Sequence, residues 1–262
     1  MVSPAFLDGI AENRPNSKGL LKVIAGPCGT GKSWFACKFN NPIVVTTSDE
    51  DSVEQLQKGK AIGKVYLPGS AVTEWSELIT QMQWLLDNVP ADKINDVTPI
   101  FDSVTSLAQM CYNETLEKDF GGDMAAFGNY GAGYVACRQR WEVQFLDPVR
   151  ALRDRCKRVI CICHTEVRPT KDVRAEVDVI DLRCPVFKHT AATVVDAADI
   201  VALLSFNPAT NQREISMHTS GFFSGKNPYS IGYDIPAGNS AADAYVNYVK
   251  AISHAVNSEG TS

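Results

Sequence analysis

Gly26-Pro27-Cys28-Gly29-Thr30-Gly31-Lys32-Ser33 decides the fold of this chain, read with Gly19-Leu-Leu-Lys-Val-Ile-Ala25 before it and Trp34-Phe-Ala-Cys-Lys-Phe39 behind it. The leading run is short and mostly apolar, which suits a buried parallel strand. The trailing run can form a helix that begins at the loop itself. The octet matches G-x-x-x-x-G-K-[ST] at every fixed position, in the strand–loop–helix context its mechanism needs. Glycines let the backbone curl so that successive N–H groups turn inward as a nest for phosphate oxygens. The helix behind adds the positive end of its dipole. In this arrangement Lys32 brings a point charge to the β- and γ-phosphates, and the Ser33 hydroxyl ligates Mg²⁺. The expected cofactors are ATP (or a close relative) and Mg²⁺, held by Gly26, Pro27, Cys28, Gly29, Thr30, Gly31, Lys32, Ser33 and Trp34.

Outward from the loop, strands and helices alternate. Pro42–Thr47 is β-branched and reads as the second strand, and a polar helix follows Asp51, ending before Gly59. Residues 61–67 read as a short strand, and residues 71–88 as the clearest helix. There Trp75, Leu78, Ile79, Met82, Leu85 and Leu86 share one face and Trp84 lies off it. Val97–Phe101 is a strand, 103–118 a helix, 120–134 a glycine-rich aromatic stretch, and 134–156 a long helix with a kink expected at Pro148. Arg158–Cys163 is a further buried strand that ends at His164. Residues 165–181 are charged and aperiodic and read as a mobile loop. Strands near 199–205 and 213–219 flank a hairpin at 207–212, and a helix near 240–257 closes the chain. The expected architecture is α/β: a mostly parallel twisted sheet with helices on both faces and a late antiparallel extension. The expected organisation is a flexible arm at 1–18, a nucleotide-binding core at 19–235, and a C-terminal helix and tail at 236–262.

An acidic group must complete the magnesium side of the loop. Asp102 ends the strand about seventy residues after Lys32, where a doubly wound sheet places side chains beside the phosphates, although an N-cap role for the next helix also fits. Hydrolysis needs a group that orients water. Asp49 and Glu50 both follow the second strand, with helix capping as the competing role. His164, at the end of a core strand, is placed to sense the γ-phosphate.

The chain has 262 residues, 45% hydrophobic and 21% charged, with a net charge of −5. This balance argues against a protein that grips nucleic acid over its whole surface, while leaving room for a local basic groove. The eight cysteines are expected to be reduced and structural, because so long a chain needs no disulfide framework. Cys28 is expected to be a tolerated small side chain in the loop. No apolar run is long enough to span a membrane, and the N-terminal residues lack a signal-peptide pattern. The expected location is the cytoplasm, with no membrane partner.

The runs GPCGTGKS, PIVVTTSDED, TPIFDSVTSL and RVICICHTE together resemble the RecA-type P-loop NTPase core. More closely, over about residues 19–230, the chain resembles phage nucleotide-binding proteins that act as RecA-like single-strand annealing ATPases. The resemblance implies ATP hydrolysis, single-stranded DNA binding, head-to-tail self-association into a ring or filament, and a place in DNA recombination in the host cytoplasm. A single-strand DNA-binding protein is a further partner of that kind. The resemblance makes Lys226, in Gly225-Lys226-Asn227, similar to a basic residue that reaches a neighbour's ATP. Arg168, Lys171 and Arg174, in the expected mobile loop behind His164, are the candidate DNA-binding set, which a γ-phosphate sensor could order over a strand. Eight Lys/Arg fall between Arg150 and Arg174, although charge runs are usually solvated faces. The glycine-aromatic stretch can stack bases or pack on the core. The chain departs from the pattern at Thr46-Thr47-Ser48, so the carboxylates come one or two residues late. The competing functions are a small-molecule P-loop kinase with a basic lid and an ATP-binding assembly module of very slow turnover. GTP is disfavoured because no NKxD-type motif is present.

Overall fold

The computed structural model describes residues 18–168, 179–181, 190–207, 209–220 and 223–259. The expected N-terminal arm lies almost wholly outside the described residues. The strands are β1 (Leu20–Gly26), β2 (Pro42–Thr46), β3 (Thr98–Asp102), β4 (Arg158–His164), β5 (Glu166–Arg168), β6 (Val179–Asp181), β7 (Ile200–Asn207), β8 (Gln212–Ser216) and β9 (Ile235–Pro236), with helices between β1 and β4 and again after β6 and β9. The helices are α1 (Lys32–Ala36), α2 (Ser52–Lys58), α3 (Trp75–Asn88), α4 (Val104–Phe120), α5 (Met124–Gly128), α6 (Ala132–Trp141), α7 (Asp147–Arg153), α8 (Ala191–Ala197) and α9 (Ala241–Glu259).

Seven strands form one sheet in the order β2-β3-β4-β1-β7-β8-β9. The first five run parallel and the last two pairings are antiparallel, which is the P-loop NTPase fold with its late extension. β1 lies in the middle, in register with β4 from Leu20↔Arg158 to Gly26↔His164. β4 is therefore inserted between the loop-bearing strand and β3. Successive residues of β1 serve opposite faces, as the strand period of two requires. Leu21, Val23 and Ala25 join a core with Phe101, Leu107, Trp141 and Phe145 under α3, α4, α6 and α7. Ile24 joins the other core, with Phe35, Val44, Ile160 and Tyr248 under α1, α2 and α9. Each large apolar side chain so buried contributes roughly 1.5–3 kcal/mol.

Several elements differ from the sequence expectation. Residues 61–67 supply one bridge, Ile43↔Tyr66, and no strand. α3 starts at Trp75 because the Glu77 carboxylate accepts from Thr73 N (2.7 Å) and Glu74 N (3.3 Å), fixing the helix start there. Its buried stripe is Trp75, Leu78, Met82 and Leu85, with Trp84 exposed. The helix around Pro148 carries a π turn at Glu142–Leu146, just before the proline that withholds an N–H from the preceding turn. Of residues 165–181, read as a mobile loop, Glu166–Arg168 and Val179–Asp181 form the two-stranded β5–β6 ladder, with Glu166↔Asp181 as its first pair, and 169–178 lie outside the described residues.

The glycine-aromatic stretch is helical as well: α5 and a 3₁₀ turn at Asn129–Gly131 lead into α6. Phe127 is fully buried, with ring contacts to Tyr112, Phe120 and Tyr134 at centroid distances of 4.6–5.2 Å. Tyr130 alone of these rings stands wholly in solvent. Gly133 makes this packing possible, because an added Cβ would fall 2.2 Å from Phe127 Cγ. Gly133→Ala is expected to destabilise the chain by roughly 1–3 kcal/mol, read as a lower midpoint in urea with unchanged slope. An unshifted midpoint would count against this tight contact.

Candidate functional site

The loop after β1 is held by its own backbone demands. Gly31 has φ 95°, in the left-handed region, and it leads directly into α1. At Gly26 the strand turns so close to β7 that an added Cβ would lie 2.2 Å from Leu204 O. Thr30 Oγ1 donates to Pro27 O (2.9 Å), closing the loop on itself. Lys32 Nζ donates to the same carbonyl (2.9 Å) and is buried. Burial lowers its pKa, and the nearby Cys28, Asp102 and Glu50 pull the other way.

Asp102 ends β3 with only 1% of its surface exposed. Its Oδ2 accepts from Ser33 Oγ at 2.6 Å, and Ser33 Oγ accepts from Ser52 Oγ at 3.0 Å. Burial pushes the Asp102 carboxyl up to about 6, against the Ser33 hydrogen bond. Its Oδ1 is buried with no hydrogen-bond partner. An orphaned carboxylate oxygen beside two hydroxyls is a hard-oxygen set that fits Mg²⁺. Among the described residues no group of three or more His, Cys, Asp or Glu could hold a metal. A magnesium ion here would therefore share its ligands with phosphates and water. The capping role falls to the neighbour: Ser103 Oγ accepts from Ser106 N (3.3 Å) at the start of α4.

The structure separates the two carboxylates after β2. Glu50 lines the cavity beside the loop, and its Oε1 lies 2.5 Å from His164 Nε2. Asp49 turns towards α4 and accepts from Ser106 Oγ (2.7 Å). Burial works against ionisation of Asp49, but the hydrogen bonds from Ser106 and Thr47 outweigh it and lower its pKa. His164 joins both sides of the site, since its Nδ1 lies 3.5 Å from Cys28 Sγ and its backbone N donates to Thr105 Oγ1 (2.9 Å).

Loop, Glu50 and His164 border one cavity of about 490 Å³, which Ser52, Gln55, Leu56, Gly59 and Ala61 also line. Those five residues were not expected from sequence. Ser52 could have been found by the strand-end logic that picks out Glu50, whereas Gln55, Leu56, Gly59 and Ala61 carry no local signal. Trp34 also lines the cavity, and Arg213 from β8 lies 5.3 Å from its ring centroid.

Other expected residues lie elsewhere. Lys226 pairs its backbone with Val201, in the half of β7 away from the loop, and its Nζ donates to Asp196 O (3.2 Å). It is not part of the cluster in its own chain. Arg168 ends β5, while Lys171 and Arg174 lie outside the described residues. The seven cysteines described are free, and all but Cys28 are buried. Burial pushes the Cys37 thiol up to about 12, which makes it an inert packing group. No helix among the described residues is long and apolar enough to cross a membrane.

Comparison with known families matches residues 18–229 to the family described as AAA domain. The match begins just before β1 and runs past Lys226. No curated protein matches the chain.

Proposed function

We propose, for a chain that belongs to the AAA domain family, that it binds ATP with Mg²⁺, hydrolyses it, and uses the cycle to bind single-stranded DNA and pair complementary strands as an oligomer. The observation that carries the ATPase reading is the convergence of four strand ends on one edge of the sheet. The loop after β1, Glu50 after β2, Asp102 on β3 and His164 on β4 all meet at the carboxyl edge, where open α/β sheets bind ligands.

In this reading the loop amides and Lys32 hold the triphosphate, and Ser33 and Asp102 hold the ion side. Bound Mg²⁺ supplies charge neutralisation for the phosphates. Glu50 orients the attacking water and accepts its proton. His164 holds the Glu50 carboxylate before the γ-phosphate arrives, and its strand continues within two residues into β5. A change at the γ-phosphate would thus be passed to the basic segment of Arg168, Lys171 and Arg174. The DNA role rests on the sequence resemblance and on this segment. A neighbour's Lys226 completing the site belongs to the same proposal.

The test is ATPase rate with and without single-stranded DNA, alongside particle size, for the natural chain and Lys32→Ala. The expected result is a DNA-stimulated rate in an oligomer, with Lys32→Ala losing nucleotide binding by about a hundredfold or more. A monomer with neither DNA retention nor DNA stimulation would sink the recombination reading and leave a P-loop ATPase of other purpose.

A further inference from the structure

We propose that Cys28 is a nucleophilic thiol which a low-molecular-weight disulfide converts to a mixed disulfide, and that the modified loop no longer holds phosphate. The proposal rests on the nucleotide reading of the loop, because it assigns that site a thiol–disulfide control. Sequence marks Cys28 only as a small side chain, but the structure gives it reactive neighbours. Among the described cysteines Cys28 alone is exposed, and it lines the cavity with His164 and Glu50. It sits between Pro27, whose carbonyl accepts from both Thr30 and Lys32, and Gly29, where an added Cβ would meet nothing within 4 Å. An incoming molecule therefore has room on this side of the loop.

Three side chains form a relay. Cys28 Sγ lies 3.5 Å from His164 Nδ1, and Glu50 Oε1 lies 2.5 Å from Nε2 of the same ring. A proton on Nε2 is donated to the Glu50 carboxylate, which leaves Nδ1 with its lone pair towards the thiol. Nucleophile, base and orienting carboxylate thus stand in the order that activates a thiol. The two ring nitrogens face apart, so Cys28 and Glu50 flank the imidazole and do not converge as ligands on one metal ion. His164 ends β4, and its backbone N donates to Thr105 Oγ1 (2.9 Å), which fixes the base beside the sulfur. Burial lowers the Lys32 pKa and Cys28 leads the groups that oppose it, so an ammonium lies within electrostatic reach of the sulfur.

In the exchange Cys28 passes its proton to His164 Nδ1 as its sulfur attacks one sulfur of the disulfide. The S–S bond of the disulfide breaks as the new one forms, and the departing thiolate takes the proton from Nδ1. Cys28 is oxidised, the released half is reduced, and Glu50 keeps its hydrogen bond to Nε2 throughout. With glutathione disulfide as the partner, the adduct places a bulky anionic group on the loop that the phosphates need.

Glutathione disulfide is the probe, with mass mapping of peptides for the rate at Cys28 and calorimetry for Mg-ATP. In the natural chain Cys28 should react at least about tenfold faster folded than unfolded in urea, since exposure alone cannot exceed the unfolded rate. His164→Gln and Glu50→Gln should each bring the folded rate down to that of their own unfolded chains. Modification of the natural chain should weaken Mg-ATP by about a hundredfold or more, and dithiothreitol should restore it. Cys28→Ser should bind Mg-ATP alike before and after treatment. A folded rate no higher than the unfolded one, or an undiminished rate in His164→Gln, would overturn the activated thiol. A modified chain that binds Mg-ATP as tightly as the untreated one would overturn the control. An untreated chain without affinity for Mg-ATP would sink the nucleotide reading by itself, and the rates would still decide the thiol.

Discussion

Glu50→Gln is expected to slow ATP hydrolysis by about a hundredfold or more while leaving nucleotide affinity within about threefold. The amide keeps the size of the carboxylate and a hydrogen bond to His164, but it cannot take a proton from water. The effect should therefore appear in single-turnover rate and not in the binding constant. Asp49→Asn is the informative companion. Asp49 sits one residue away yet faces Ser106 on α4 at 2.7 Å, outside the cavity lining. Its replacement should change the rate by no more than about threefold. A larger loss in Asp49→Asn than in Glu50→Gln would transfer the role of base to Asp49.

The second large effect concerns stability. Lys22 is 7% exposed in the centre of β1, with its Nζ 3.0 Å from Tyr248 Oη and 4.9 Å from the ring centroids of Phe39 and Tyr248. Among the described residues no carboxylate pairs with it. Burial, reinforced by Arg158, lowers its pKa from 10.5 to about 7. That drop corresponds to roughly 4–5 kcal/mol of disfavour for the charged form. Below about pH 7 the ammonium is charged in both states and the folded chain carries the full cost. Between about 7 and 10.5 the unfolded chain binds a proton that the folded one lacks, so stability rises with pH through that window. Lys22→Met removes the cost at the expense of the Tyr248 hydrogen bond and the ring contacts. It should stabilise the chain at pH 6 by roughly 3 kcal/mol, with the gain fading as the pH approaches 10. Urea titrations at several pH values read this directly, and a destabilised Lys22→Met at pH 6 would show that the aromatic cage outweighs the desolvation.

The strand ends were legible in the sequence because each follows an apolar run that stops at a polar residue. Asp102 and His164 could be named that way, and the parallel sheet followed from the alternation of strands and helices. The choice between Asp49 and Glu50 was not legible. It depends on a tight turn, in which Glu50 N donates to Thr47 O and Thr46 Oγ1 donates to Glu50 O, both at 2.9 Å. α2 hid its contribution because only Val53 of the helix is buried, so no periodic stripe announces its orientation. The helices in 124–131 are five and three residues long, too short for hydrophobic period to be read. Lys22 was concealed inside an apolar run, where its neighbours set the reading and its own charge did not.

The central position of β1 also constrains how the chain comes off the ribosome. Its two edges are taken by β4 and β7, whose partners for Lys22 are Ile160 and Ile200. A nascent chain that has emerged only as far as α7 holds its earliest strand with both edges bare. The phosphate loop, made before both strands that flank it, is thus among the last parts of the sheet to be finished. Such long-range pairing slows folding and prolongs exposure of a strand edge to other chains.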